Sequence, residues 1–442
     1  MNRRDFLKAS ATAGAGFLII PSGTLSGANA PSNKLNVALI GVGGRGLVHH
    51  NVISNENVVA LCDVDETHIA DVADRFPGAK HYVDWRKCLD HPGLDAVLCC
   101  TTDFTHAFIG NWALNRNLHC FMEKPLANTV EEVRLVREHY IRKRDRVATQ
   151  VGTQRNVFSN QNRVRELIQD GAIGTLQNAY AWGRRVVRRD GYLPAKGEPP
   201  SHLHYDLWNG PVTQRPYNPG YFSGTPGANC LNWNMYWDFG TGQIGDMGTH
   251  TMDMVWNAID ADRPTTAEAT GEEFNPEVTP VELESHFDIP ENDWRPGIRV
   301  SWYQGGAMPR SPTDWLNLNR IPFGAMFRGT RGFLVCDFRS RLIIPFGGDA
   351  DMSYYDRRPE EEMLPEVGNF QQEWIDACKG DLKTSCDFDY NGRMSEMLTL
   401  GLVAYRTGEK LEYDADAGRV TNHPEANNLL GREYRDGWTL DG

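Results

Sequence analysis

An apolar run, Leu35 to Ile40, stops at Gly41-Val42-Gly43-Gly44-Arg45-Gly46 and commits the opening of this chain to one architecture. The G-x-G-x-x-G spacing has three physical uses. Gly41 permits a tight turn, Gly43 lets the backbone approach a pyrophosphate, and Gly46 lets the next helix pack closely on the strand. Leu47 to Ser54 is compatible with that helix, and Val58 to Cys62 reads as a second strand ending in Asp63. An acid there can accept hydrogen bonds from an adenosine ribose and would repel a 2′-phosphate. No arginine directly follows Asp63, so NAD is favoured over NADP.

The alternation continues. Ile69 to Phe76 and Trp85 to Leu89 read as helices, and Asp95 to Cys100 as a buried parallel strand. The turn Thr101-Thr102-Asp103-Phe104-Thr105-His106 then falls at the carboxyl end, where such sheets bind ligands. Phe108 to Arg116 returns as a helix, and His119 to Met122 is a strand running into Glu123-Lys124-Pro125. A domain edge is expected near Val151. The length, 442 residues, suggests two or three domains. Lys plus Arg number 45 against 58 Asp plus Glu, and the net charge of -13 argues against nucleic acid as a partner. Nine cysteines without a C-x-x-C pair read as small hydrophobes rather than a disulfide or zinc framework.

The glycine fingerprint, Asp63, the Thr105-His106 turn and Glu123-Lys124-Pro125 together resemble the Gfo/Idh/MocA oxidoreductases. Gly245-Asp246-Met247-Gly248-Thr249-His250 matches that family's D-x-x-x-H. The resemblance implies an α/β protein with an N-terminal Rossmann dinucleotide-binding domain over 31–150. A C-terminal α+β domain over 151–442 would carry a large open, mostly antiparallel sheet. It further implies NAD(P)-dependent hydride transfer with a sugar, glycoside or cyclitol. The cofactor contacts it implies are Gly41, Gly43, Gly44, Arg45, Gly46, Asp63, Thr101, Thr102, His106, Glu123, Lys124 and Gln154. Lys124 would polarise the reacting hydroxyl, His250 would be the general base, and Asp246 would orient histidine or substrate. Four residues apart, Asp246 and His250 share one face of a helix expected over Gly245 to Ala258. Asp253 is a plausible second partner for His250. The alternative makes Asp246 a helix cap and His250 a satisfied buried histidine. A metal site built from His202, His204, Asp246 and His250 has no supporting spacing beyond one H-x-H, so no metal is expected.

Thr175 to Arg185 alternates as a strand, and Ser201 to Trp237 is long, irregular and aromatic. Loops of that length are usually functional, and aromatic faces suit the C–H faces of sugars. Arg155, Trp233, Tyr236, Trp237 and Asp246 are the candidate substrate contacts; the alternative is that the aromatics pin the loop to the sheet. Further strands read at Glu282 to Phe287, Ile298 to Tyr303, Gly324 to Phe327, Phe333 to Cys336 and Leu342 to Pro345, with helices at Gly368 to Lys379 and Tyr390 to Arg406. A sheet of this kind commonly makes oligomer contacts, so a homo-oligomer is expected. Arg184-Arg185 and Arg188-Arg189 read as solvated or ion-paired.

Met1 to Ala30 resembles a bacterial twin-arginine export signal. Arg3-Arg4 precedes a short apolar run, Ala9 to Ile20, and Ala28-Asn29-Ala30 offers a cleavage site. The resemblance implies a periplasmic or secreted protein of an exported bacterial branch, with the twin-arginine machinery as partner and no stable membrane insertion. Free NAD is scarce outside the cytoplasm, so an exported enzyme should hold its nucleotide tightly and regenerate it within one cycle. Two other readings stay open. One is a redox-neutral, NAD-dependent glycoside hydrolase or lyase that transiently oxidises a ring hydroxyl. The other is a non-catalytic sugar-binding protein retaining the fold.

Overall fold

The computed structural model describes residues 33–223, 230–347, 352–356 and 358–441. The export signal expected over Met1 to Ala30 lies outside them. Helices of eight residues or more carry numbers below.

The first sheet contains β1 (Asn36–Ile40), β2 (Asn57–Cys62), β3 (Lys80–Tyr82), β4 (Ala96–Cys99), β5 (His119–Met122) and β6 (Thr149–Val151) in the order β3-β2-β1-β4-β5-β6. Every pairing is parallel. The strands are joined by helices that include α1 (Glu66–Ala73), α2 (His106–Asn115) and α3 (Val130–Ile141). Residues from both faces of β1 and β4 are buried, which explains their unbroken apolar runs. The start of α3 is set locally. Thr129 accepts from the Glu132 backbone N–H, and Glu132 reaches back to accept from the Asn128 N–H. Strand order reverses between β1 and β4, which opens a crevice at their carboxyl ends.

The second sheet is built from β7 (Leu176–Gly183), β8 (Thr266–Gly271), β9 (Leu283–Ile289), β10 (Ile298–Gln304), β11 (Phe323–Gly329), β12 (Gly332–Cys336), β13 (Arg341–Pro345), β14 (Leu411–Asp414) and β15 (Arg419–Val420). Their order is β13-β12-β11-β7-β10-β9-β8-β14-β15. Only the β7–β10 pair is parallel among the described pairings, so the sheet is mostly antiparallel, as expected. Four further helices are α4 (Ser159–Gln169), α5 (Thr249–Ala258), α6 (Phe370–Lys379) and α7 (Phe388–Thr407). α5 and α7 pack against the sheet. Alternation in β9 puts Leu283, Ser285, Phe287 and Ile289 inward. The chain then returns: Phe370, Trp374 and Ile375 of α6, with Phe388, pack into the core of the first sheet.

The connection from β7 to α5 makes an aromatic cluster of its own. Tyr205, Trp208, Tyr221, Trp233, Tyr236 and Phe239 pack there against Phe104 from the turn after β4. The sequence predicts one α-helix over Gly245 to Ala258; the structure instead has a π-helical turn, Ile244–Gly248, leading into α5. Hydrophobic spacing cannot distinguish the two, because they differ in which carbonyl each N–H finds. Cys62, Cys88, Cys99, Cys100, Cys120, Cys336, Cys378 and Cys386 are free thiols. No described helix is long and apolar enough to cross a membrane.

Candidate active site

β1 delivers the chain to Gly41, whose φ of +82° and close approach to the Cys100 carbonyl leave no room for a Cβ. Val42 and Gly43 donate their backbone N–H groups to Asp63 Oδ2 at 3.0 and 3.2 Å, and Asp65 donates its own to Oδ1 at 3.0 Å. The acid at the end of β2 therefore also holds the glycine turn in shape. A cleft of about 360 Å³ opens above it. Of the expected cofactor contacts, Gly41, Gly43, Gly44, Arg45, Asp63, Thr101 and Thr102 line it. Gly44 has a φ of +50° and open space where a Cβ would stand, so the outer face of the turn can admit a ligand's backbone-hugging phosphates. These residues fit a dinucleotide.

Gly46 is buried behind this wall, and a Cβ there would fall onto the Gly41 carbonyl oxygen. Gly46→Ala is therefore expected to deform the turn and weaken NAD binding at least about tenfold, a loss of roughly 1.4 kcal/mol. Fluorescence titration with NADH checks this.

The opposite wall comes from the long β7–α5 connection. Leu203, Trp208, Tyr217, Phe222 and Trp233 face the glycine turn across the cleft. His202 bonds Asp65 at 2.8 Å, His204 bonds Glu66 at 2.7 Å, and the His204 backbone N–H donates to the Val64 carbonyl. The two histidines thus tie the connection over the nucleotide cleft, each paired with an acid at the start of α1. Three of the candidate substrate residues, Tyr236, Trp237 and Trp233, are engaged within the protein or at the nucleotide cleft. Tyr236 is fully buried in the aromatic cluster. Trp237 donates to the Asn275 carbonyl and lies under Arg406. Trp233 lines the nucleotide cleft. These rings shape the loop because a chain stretch without regular hydrogen bonding needs its own core.

Three expected cofactor contacts, His106, Glu123 and Gln154, are not among the residues lining the cleft. His106 is buried, with Nδ1 2.7 Å from the Pro125 carbonyl and Nε2 3.2 Å from the Thr101 carbonyl. It braces the two turns that border the site. Glu123 is buried and accepts from Arg45 Nε at 2.7 Å and His49 Nε2 at 3.0 Å. Burial alone would raise its carboxyl, but the His49 hydrogen bond and the Arg45 and Lys124 charges hold it well below the usual carboxylate range. Gln154 lies in a short helix after β6, its Oε1 buried without a partner.

The structure brings Lys124, Asp246 and His250 together. Lys124 follows β5 and donates from Nζ to Asp246 Oδ1. Asp246 Oδ2 accepts from Arg185 at 2.5 Å. Burial opposes ionisation of Asp246, yet the Lys124 and Arg185 charges win and hold the carboxyl below its ordinary range. His250 is 5% exposed, and its Nδ1 is buried with no hydrogen-bond partner. Burial first, then the charges of Lys124 and Arg155, push its ionisation down to about 3. Asp253, expected as a second partner, instead accepts from Tyr390 at 2.7 Å and Asn156 at 2.9 Å. The cluster does not line the cleft itself; Arg45, which does, joins the two through Glu123.

The low ionisation of His250 predicts a pH effect with a definite sign. The unfolded chain gains a proton below about pH 6.5 that the folded site refuses until about 3, so stability falls as pH drops through that window. At pH 5 the loss from this group is about 2 kcal/mol. Urea unfolding at pH 7 and pH 5 should show it, and His250→Gln should shrink the difference.

Sequence reasoning passed over three residues. Arg185 read only as solvated or ion-paired, and the structure gives it a partner, Asp246. His68 approaches Asp63 Oδ2 at 3.3 Å beside Gly43, and the Asp63 hydrogen bond raises its ionisation. Asp103 is buried at the carboxyl end of β4 with Oδ2 unpartnered, and burial pushes its carboxyl well up. Only its position after a strand could have flagged it.

Fold and cleft together define a two-domain dinucleotide-binding protein. The family described as "Oxidoreductase family, NAD-binding Rossmann fold" matches residues 35–151, and its C-terminal alpha/beta domain matches residues 172–278. The chain belongs to this Gfo/Idh/MocA oxidoreductase family, and its first domain is of the NAD-binding type. It is 27% identical over 144 residues to the myo-inositol 2-dehydrogenase of Thermotoga maritima, covering 32% of this chain and 42% of that one. It is 32% identical over 145 residues to an inositol 2-dehydrogenase/D-chiro-inositol 3-dehydrogenase of Lacticaseibacillus casei, with the same coverage of each. The match thus spans less than half the length of these curated relatives. Among solved structures, the WlbA dehydrogenase of Bordetella pertussis, in complex with NADH and UDP-GlcNAcA, superposes with a TM-score of 0.59 at 14% identity. That superposition covers 86% of this chain and 99% of that one. An aldose-aldose oxidoreductase of Caulobacter crescentus, complexed with glycerol, gives 0.55 at 12% identity, covering 86% and 100%. Both show the fold.

Proposed function

We propose that this protein is an NAD-dependent oxidoreductase that exchanges hydride with a hydroxyl-bearing carbon of a sugar, glycoside or cyclitol. One observation carries the reading: Lys124, at the end of β5 beside the nucleotide crevice, shares a buried Asp246 with Arg185 while His250 stands beside it unpartnered. Partial matches to inositol dehydrogenases support the substrate class. Bound NAD supplies the hydride acceptor. Lys124 Nζ donates a hydrogen bond to the reacting oxygen and stabilises charge growing on it. The His250 imidazole, neutral in ordinary buffers, takes the hydroxyl proton as the hydride leaves. Asp246 fixes the Lys124 ammonium. Glycine-turn backbone and Asp63 hold the nucleotide, and the connection tied down by His202 and His204 shields it from water.

That shielding supports a tightly retained cofactor, which in turn suits export through the twin-arginine pathway to the periplasm or beyond. Exposed Trp315 and Phe346 in the second domain support a homo-oligomer, which light scattering tests. Mass spectrometry of the natively purified protein should find NAD, and absorbance at 340 nm should rise with myo-inositol or an aldose. Release of aglycone from a nitrophenyl glycoside without NADH would favour the redox-neutral hydrolase instead. Absence of both nucleotide and turnover would sink the enzymatic reading.

A further inference from the structure

The site carries more positive charge than its own acids balance, in a chain whose net charge is -13. Asp246 is divided between Lys124 and Arg185, and Glu123 is engaged by Arg45 and His49. Arg155 is left over. It is half-buried, and its side chain makes no hydrogen bond or ion pair among the described residues. Two aromatic rings hold it: the guanidinium carbon lies 4.3 Å from the centroid of Phe338 and 6.0 Å from that of Phe323. The Arg185 guanidinium lies 5.7 Å from the same Phe323 ring. Two cations therefore flank one aromatic side chain, next to the only cluster in which Lys124 and His250 meet.

The surroundings of Arg155 make the imbalance sharper. Besides burial, the charges acting most strongly on it are three cations, Arg185, Arg339 and Arg45, and one acid, Asp246. Partly burying a cation among like charges costs free energy that ring stacking only partly offsets. An arriving anion would offset the rest, because a guanidinium presents a planar fork that matches the oxygens of a carboxylate or phosphate. The arrangement is unlike a solvated surface arginine, which would point away from its neighbours into water.

We infer that the substrate is an anionic sugar derivative, its carboxylate or phosphate held between Arg155 and Arg185 while a ring hydroxyl faces Lys124 and His250. This rests on the hydride-transfer reading for the placement of the hydroxyl, but the anion subsite is defined by the arginines alone. Arg185 then has two tasks, neutralising Asp246 and contacting substrate, whereas Arg155 is given to substrate. Neutral polyols would leave Arg155 unpartnered and bind weakly.

Calorimetry on the NAD-loaded full chain tests this with three probes: D-glucuronate, D-glucose 6-phosphate and D-glucose. At least one anion should bind about tenfold or more tighter than D-glucose, as one charge-assisted contact provides. Preference for the uronate assigns a carboxylate, and preference for the phosphate ester assigns a phosphate. The advantage should shrink as salt rises from about 50 to about 500 mM. Arg155→Met, which keeps an apolar stem against Phe338, should abolish the advantage while NADH titration stays unchanged. The inference is overturned if neither anion outbinds D-glucose. It is equally overturned if Arg155→Met weakens NADH binding and leaves the anion preference intact, since Arg155 would then serve the pyrophosphate. Binding of an anion without any NADH formation would instead defeat the hydride-transfer reading and leave the subsite standing.

Discussion

Lys124→Met is expected to lower the rate of nicotinamide reduction roughly a hundred- to ten-thousand-fold, the range for removing a positioned proton-handling group. The protein should still fold. Asp246, which Lys124 helps neutralise, keeps its contact with Arg185, so no buried carboxylate is abandoned. NAD should still bind, because Lys124 is not among the residues lining the nucleotide cleft. Stopped-flow absorbance at 340 nm reads the rate, and NADH titration and thermal melting read the two controls. The paired variant sharpens the test. Asp246→Asn leaves Lys124 and Arg185 adjacent without their shared anion, so it should lose activity and also melt lower. Unchanged turnover in Lys124→Met would remove the ammonium from the chemistry and return this site to a structural ion pair.

The second large effect concerns stability. Arg134→Met is expected to cost about 3–5 kcal/mol, the usual penalty for stranding one member of a buried ion pair. Glu396 of α7 has a fully buried carboxylate that accepts from Arg134 Nη1 at 2.8 Å and from the Tyr413 hydroxyl at 2.7 Å. Its second oxygen already lacks a partner. Arg134 also donates to the Ala415 carbonyl, so a residue of α3 in the first domain fastens both the long helix of the second and the turn after β14. Removing the guanidinium would leave the buried Glu396 carboxylate to the tyrosine alone. Urea unfolding should show a lower midpoint with an unchanged slope. Adding Glu396→Met should recover a good part of the loss, since an apolar pair of similar volume needs no charge balance.

The residues behind these predictions differ in how far the sequence announced them. The glycine turn, its strand and Asp63 were legible because the interactions involved are local: Asp63 bonds the backbone of residues about twenty positions earlier, across one strand–helix–strand unit. The parallel first sheet was legible in unbroken apolar runs, and much of the second in alternation such as that of β9. For the aromatic connection the sequence left two readings open, sugar contact and pinning of the loop. Its rings looked suited to a sugar, and the fold spends most of them on a private core and one wall of the nucleotide cleft.

The sequence by itself determined the backbone architecture and the presence of Lys124, Asp246 and His250, since patterning, turn chemistry and short motifs act over a few residues. Tertiary structure alone decided the electrostatics. Lys124 and Asp246 lie 122 residues apart, and Arg185 and Asp246 lie 61 apart. Which acid neutralises which base, and which arginine is left without one, is fixed only when both sheets close around the site. Coulombic energy depends on separation in space and on burial, and the order of residues along a chain specifies neither.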